Sequence, residues 1–253
     1  RWRERTTMTT GARSQSFRTG RGTHTGCVRD HNEDSFRFDE HVGLWVVADG
    51  MGGHSAGEVA SGIVVERVAG AVAAGETLVD ALHQANEAVV RLSSGDYGRR
   101  GMGSTAVVLR IQHSHYQIAW VGDSRAYRWD GHELRLLTRD HSLVQELLDS
   151  GSISAEEAVN HPHKHLITRA IGMNNGTLKV EQVDGAVALE DRFLICSDGL
   201  TGELSEAEIS LIVKELGSEQ DIVDGLIDAA LERGGRDNIT VLLVAPEPDH
   251  TAR

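Results

Sequence analysis

Residues 44–53 read LWVVADGMGG. Leu44 to Ala48 run apolar without interruption and stop at a carboxylate, Asp49, with Gly50, Gly52 and Gly53 beside it. A run of that kind reads as a buried strand, and the glycines after it let the backbone come close to its neighbours. Working outward, similar runs recur at STAVVLRI (104–111), YQIAWV (116–121), RAYRW (125–129), ELRLL (133–137), RFLIC (192–196) and ITVLLVA (239–245). WDGHE joins two of them through Asp130–Gly131, a hairpin signal, and strands joined by hairpins are antiparallel.

Other segments keep helical spacing. Val64, Val65, Val68 and Val72 form one stripe; Leu78, Leu82, Ala85 and Val89 form another. Ile209, Ile212, Val213 and Leu216, then Ile222, Val223, Leu226, Ile227, Ala230 and Leu231, repeat it near the end. Ser142 with Gln145, Ser154 with Glu157 and Ser205 with Glu208 are capping boxes, and Gly151 and Gly217 stand where C-terminal caps belong. Strands come first, then two helices, a meander of hairpin-linked strands, and two more helices. That order predicts an α+β fold in which sheet packs on sheet with helices outside. The stretch 140–170 breaks the pattern with short helices and NHPHKH, and is expected to be an insertion over the surface. Residues 1–18, with little to bury, are expected to be a disordered tail, 19–247 the single domain, and 248–253 a short C-terminal tail.

Composition bounds the function. The 253 residues are 40% hydrophobic and 25% charged, enough for a real core, with a net charge of −13. An acidic surface repels nucleic acid and anionic lipid, and the only basic cluster is Arg1, Arg3, Arg5, Arg13, Arg18 and Arg21. No nucleic-acid or membrane role is expected. No stretch is long enough to span a bilayer and no apolar signal-peptide core is present, so a cytoplasmic protein is expected. The two cysteines, Cys27 and Cys196, lack zinc spacing and read as buried reduced thiols.

The aspartate that ends the opening run has counterparts. YQIAWVGD ends at Asp123, RFLICSD ends at Asp198, Asp237 precedes ITVLLVA, and GCVRDHNEDS supplies Glu33 and Asp34. Any one could be an ordinary turn residue. As a set they border rigid apolar elements, where exact sites are built. Ionised carboxylates cannot crowd one cleft unaided, whereas a hard divalent cation resolves their repulsion. Oxygen donors without thiolates suit Mg²⁺ or Mn²⁺, and Gly50 can add its carbonyl. Two such ions would share a water, lower its pKa and favour in-line attack on phosphorus, with Arg29 as the fork that clamps phosphate oxygens.

Competing motifs are weaker. DHNEDS begins like an EF-hand loop but has Ser35 where glycine is needed and His41 where glutamate is needed. HPHKH (161–165) fits no common zinc spacing and reads as a solvated loop. The serious rival is GHSAG (53–57), a G-x-S-x-G match that would make the chain a serine hydrolase with Ser55 as nucleophile. It stands too far beyond the strand end and leaves the aspartates without a role. A catalytically silent phosphoprotein-binding module is the non-enzyme alternative, and the intact carboxylate set argues against it.

The segments GCVRDHNEDS, VVADGMGGHSAGEVAS, GSTAVV, WVGDSRAYRW, LICSDGLTGELS and GGRDNITVLLV, in this order, resemble the metal-dependent protein phosphatases of the type 2C (PPM) family in its bacterial branch. The resemblance covers residues 19 to about 245. It implies a four-layer α-β-β-α sandwich, two antiparallel sheets flanked by helices on both outer faces. It implies a protein serine/threonine phosphatase whose site holds two Mn²⁺ or Mg²⁺ ions, and in bacterial members a third. Asp49 would bridge two ions, Gly50, Glu33 and Asp34 would serve the second, and Asp198 and Asp237 the first. Asp123 and Asp198 would hold the third. Arg29 would bind the substrate phosphate, and residues 140–170 would be the flap beside the site. One departure is Met51, where animal members carry the histidine assigned as general acid; a metal-bound water or His54 could replace it. Partners implied are phosphoproteins made by a Ser/Thr kinase in a signalling pathway, acted on by a monomer.

Overall fold

In the computed structural model, which describes residues 15–52, 56–94, 101–173, 177–215 and 217–247, the chain opens with strands β1 (Phe17–His24), β2 (Asp34–Asp39) and β3 (Leu44–Met51) and helices α1 (Ala56–Ala73) and α2 (Leu78–Ser93). Strands β4 (Gly103–Ser104), β5 (Ala106–Gln112), β6 (His115–Val121), β7 (Arg125–Trp129) and β8 (Leu134–Leu136) follow, then short helices α3 (Leu143–Asp149) and α4 (Ala155–Val159). Strands β9 (Glu181–Ala186) and β10 (Arg192–Cys196), helices α5 (Asp198–Thr201), α6 (Glu206–Glu215) and α7 (Glu219–Glu232), and strand β11 (Ile239–Pro246) complete it.

The strands make two antiparallel sheets, ordered β1-β11-β10-β7-β8 and β2-β3-β5-β6-β9, with β4 paired to β3. Three buried clusters fill the three interfaces of a four-layer sandwich. Trp45, Val47, Leu109 and Ile118 meet Phe193, Ile195, Leu242 and Val244 between the sheets. Leu44, Val46, Ala48 and Val108 lie under α1 and α2. Leu194, Cys196, Val241 and Leu243 lie under α5, α6 and α7. Alternate residues of β3 therefore face two different cores, which is why the run at 44–48 has no polar alternation. Each such side chain contributes about 1.5–3 kcal/mol of burial, and this doubly covered strand is the rigid mount on which Asp49 stands.

Two of the three expected capping boxes form, and the one at Ser142 is one-sided, because Gln145 Nε2 bonds Asp149 Oδ1 at 2.7 Å instead of reaching back. Ser154 and Glu157 form a reciprocal capping box. Ser142 Oγ accepts the Gln145 N–H at 3.3 Å, and Ser205 exchanges bonds with Glu208. Gly151 takes a left-handed φ of 68° after α3, and Gly131 turns the β7–β8 hairpin at φ 90°.

Three expectations need correction. The tail expected over 1–18 ends earlier, because β1 begins at Phe17 and pairs along β11 as far as Pro246. Strand β1 lacks a strand-like composition because α7 lies against it. A Cβ on Gly20 would stand 2.1 Å from the Glu219 carbonyl oxygen, and one on Gly22 would stand 2.4 Å from Ile227 Cδ1. The meander divides: the β5–β6 hairpin belongs to one sheet and the β7–β8 hairpin to the other. Cys27 is exposed, while Cys196 is buried as expected. The remaining parts of both tails lie outside the described residues. Among those described, no helix is long and apolar enough to cross a membrane.

Candidate metal centre

Strand ends and the loops behind them deliver the carboxylates to one end of the sandwich. Asp34 begins β2 directly opposite Asp49 on β3. Asp123 follows β6 after Gly122, Asp198 opens α5 after β10, and Asp237 precedes β11. A cleft of about 420 Å³ is lined by Asp49, Asp198, Asp237, Arg29 and, from the segment between α4 and β9, Lys164 and His165. Larger hollows run along α1 and α2 and over the outer end of the second sheet, but none of these aspartates lines them.

The backbone of Asp49 is pinned from both sides. Its N–H donates to Thr105 Oγ1 at 3.0 Å, and its carbonyl accepts from Thr105 N at 2.8 Å and Ser104 Oγ at 3.0 Å. Gly50 is a close-approach position, since a Cβ there would stand 2.1 Å from the Gly57 carbonyl oxygen and 2.6 Å from that of Glu33. Asn238 organises the loop before β2. It accepts from Glu33 N at 2.8 Å and donates to the carbonyls of Thr25 and His31 at 2.8 and 2.9 Å. This stitching presents Arg29, whose Nη2 donates to Asp237 Oδ2 at 2.7 Å. Asp34 Oδ2 accepts from Ser197 Oγ at 2.7 Å.

These carboxylates feel one another. Burial, and then the neighbouring aspartates, push the Asp49 carboxyl well above the usual range. Burial and Asp198 do the same to Asp123, and burial pushes Asp34 up to about 7 despite bonds from Thr240 and Ser197. Glu33 is raised by burial, which the Gly57 N–H only partly offsets. Arg29 is raised by its bond to Asp237.

Glu33 Oε1, Asp34 Oδ1, Asp123 Oδ1 and Asp198 Oδ1 are buried with no hydrogen-bond partner among the described residues. Buried acceptors are ordinarily satisfied, so four orphaned carboxylate oxygens in one region match the donors a hard cation takes. The residues present fit Mn²⁺ or Mg²⁺. Among the described residues no three His, Cys, Asp or Glu side chains are grouped closely enough to hold an ion as they stand.

Met51 ends β3 opposite Gly103. His54 and Ser55 lie outside the described residues. Sequence reasoning missed Thr105, Ser197 and Asn238, which are visible only as neighbours of GSTAVV, ICSD and RDN. It also missed Lys164 and His165, which occupy the exposed loop expected for HPHKH and yet line the cleft; His165 Nδ1 stands 4.0 Å from Asp198 Oδ2.

Comparison with known proteins gives a consistent result. The family described as Protein phosphatase 2C matches residues 21–232. Serine/threonine phosphatase stp of Listeria monocytogenes is 40% identical over 241 residues, 90% of this chain and 94% of that one. The structure of the Mycobacterium tuberculosis serine/threonine phosphatase PstP/Ppp superposes with a TM-score of 0.84 at 33% identity, covering 92% of this chain and 99% of that one. The catalytic domain of PstP in complex with two manganese ions is similar at a TM-score of 0.82 and 31% identity, again covering 92% and 99%.

Proposed function

The chain belongs to the protein phosphatase 2C family and is a metal-dependent protein serine/threonine phosphatase; on that premise we propose how its side chains divide the work. Asp49, Asp198 and Asp237 would hold one Mn²⁺ or Mg²⁺ ion, and Asp49 with Glu33, Asp34 and the Gly50 carbonyl would hold a second. Asp123 with Asp198 would hold a third, more weakly. The observation that carries this reading is the group of four buried, donorless carboxylate oxygens. Bound there, the ions supply a water of lowered pKa and neutralise charge on the phosphoryl group.

The remaining tasks belong to the protein. Arg29 offers a planar fork to the phosphoryl oxygens. Its present partner Asp237 holds the guanidinium at the cleft, so an arriving phosphate meets an arginine already aimed. Thr105 and Ser104 keep Asp49 from turning away. Lys164 adds positive potential at the cleft mouth, which favours a dianionic substrate. His165 supplies an imidazole that returns a proton to the departing serine or threonine oxygen, a task the Met51 thioether cannot perform. The substrates are phosphoproteins produced by a Ser/Thr kinase, and the chain acts as a monomer. The serine-hydrolase alternative would route chemistry through Ser55 and leave the carboxylates unused; family membership decides against it.

Turnover of a phosphothreonine peptide tests the reading. Chelator should abolish it and Mn²⁺ should restore it. Full turnover in excess chelator would overturn the assignment of these carboxylates.

A further inference from the structure

Three consecutive residues at the root of the 142–167 excursion each bind the corner between β6 and β7. The Arg139 carbonyl accepts from Trp120 Nε1 at 2.9 Å. Asp140 accepts from Arg125 Nε and Nη2 at 2.9 and 2.8 Å. His141 closes a ring with Gly122: its N–H donates to the Gly122 carbonyl at 2.9 Å, and its Nδ1 accepts the Gly122 N–H at 3.0 Å. Between the two gripped positions, Gly122 and Arg125, stands Asp123 with its buried, unpartnered Oδ1.

The geometry is specific. Gly122 has a φ of 106°, and a Cβ there would lie 2.6 Å from Thr105 Cγ2, so no other residue serves at this corner without strain. The His141 imidazole is 4% exposed and stacks on Trp120 at 6.3 Å and 18°. Because Nδ1 accepts, the ring proton is assigned to Nε2, which faces Glu181 Oε1 at 3.2 Å; Arg169 Nη1 stands 3.1 Å from Nε2 as well, and with Nε2 protonated its N–H goes to the same Glu181 oxygen, at 3.1 Å. Burial and then Arg169 hold the ring's pKa below the usual histidine value, against the pull of Glu181. On the far side Ser124 Oγ bonds Thr105 Oγ1 at 2.7 Å, which in turn takes the Asp49 N–H. Immediately beyond the root the excursion closes on itself, with Thr168 N donating to the His141 carbonyl at 2.8 Å and Leu143 N to the Leu166 carbonyl at 2.9 Å.

We propose that His141 is a positioning residue for Asp123: by holding the Gly122 N–H through Nδ1, it fixes the direction in which the Asp123 carboxylate enters the cleft and ties that direction to the seat of the 142–167 excursion. The proposal rests on Asp123 being a cation ligand, as assigned above. A ring that only filled space would not require one particular nitrogen.

Asn and Gln separate the two ends of the ring. The Asn side-chain oxygen replaces Nδ1, whereas the Gln amide reaches toward the place of Nε2. Each full-length variant is followed by amide hydrogen exchange at Gly122 and by Mn²⁺ titration calorimetry. His141→Asn should leave both close to wild type. His141→Gln should speed Gly122 exchange and weaken the weakest Mn²⁺ step by about tenfold, the loss of one buried hydrogen bond, with the tighter steps unchanged. Asp123→Asn is the control and should remove that weakest step. If it leaves Mn²⁺ binding untouched, the ligand assignment falls and the proposal with it. If the control removes the step but the Asn and Gln variants bind Mn²⁺ alike, the assignment stands and the positioning role is overturned. The wild-type chain gives a reading independent of variant folding: ¹⁵N NMR of the ring should show Nδ1 unprotonated and Nε2 protonated, and the opposite tautomer would overturn the proposal.

Discussion

Replacing Asp34 by asparagine should stabilise the metal-free protein at pH 8 while weakening its hold on Mn²⁺. Burial raises the Asp34 carboxyl from 3.8 to about 7, so the folded state favours its protonated form. Between these values the folded chain carries a proton that the unfolded chain has lost, and stability falls as pH rises through that window. Above about 7 the loss is complete. At 1.36 kcal/mol per tenfold change it amounts to about 4 kcal/mol as a ceiling, and relaxation around the charge brings the expectation to ~1–3 kcal/mol. Asparagine keeps the shape and can still accept from Ser197 Oγ, but it never ionises. Urea denaturation of both chains in chelator, at a series of pH values from 4 to 8, gives the difference curve, in which titrating groups remote from the cleft cancel; Asp49, whose carboxyl Asp34 helps to raise, adds to the difference in the same direction. The difference should be near zero at pH 4 and grow in favour of Asp34→Asn up to about pH 7. A flat difference, or an Asp34→Asn chain less stable than wild type at pH 8, would refute the electrostatic account of this centre.

Other expectations follow from the same geometry. Arg29→Ala should lower kcat/KM for a phosphopeptide by roughly 10–100-fold, the scale of a charge-assisted bond, and Arg29→Lys should recover only part; equal activity of all three chains would deny the arginine its phosphate. His165→Gln should leave Mn²⁺ binding unchanged yet slow phosphoserine hydrolysis more than that of p-nitrophenyl phosphate, whose leaving phenolate needs no proton; an equal effect on both substrates would remove His165 from the proton path. Gly20→Ala should cost ~1–3 kcal/mol by forcing β1 away from the Glu219 carbonyl, without altering Mn²⁺ affinity, and a neutral result in a melt would contradict the tight β1–α7 contact.

How much of this was legible in the chain depends on where the information lies. Residues 44–48 announced a buried strand because each residue faces a core, and α1, α2, α6 and α7 announced themselves by their stripes. Strand β1 did not, because the glycines that admit α7 remove the side chains on which strand propensity rests. Strand β9 alternates burial at a sheet edge, so its sequence, EQVDGA, carries too little apolar signal. The aspartates were legible as strand-end carboxylates, whereas Thr105, Asn238 and His141 were not. Their roles arise from hydrogen bonds to residues far away in sequence, such as Asn238 to Thr25, and no local pattern encodes such a partner. Cys27 was misjudged for a related reason: apolar Val28 beside it is itself 65% exposed.

The most direct test of the central claim is a crystal of the protein grown with Mn²⁺ and measured at the manganese absorption edge. Two strong anomalous peaks flanking the Asp49 carboxylate, one shared with Asp198 and Asp237 and the other reached by the Gly50 carbonyl and the Glu33–Asp34 pair, are the predicted result. Anomalous density located away from these oxygens, or none at millimolar Mn²⁺, would contradict it.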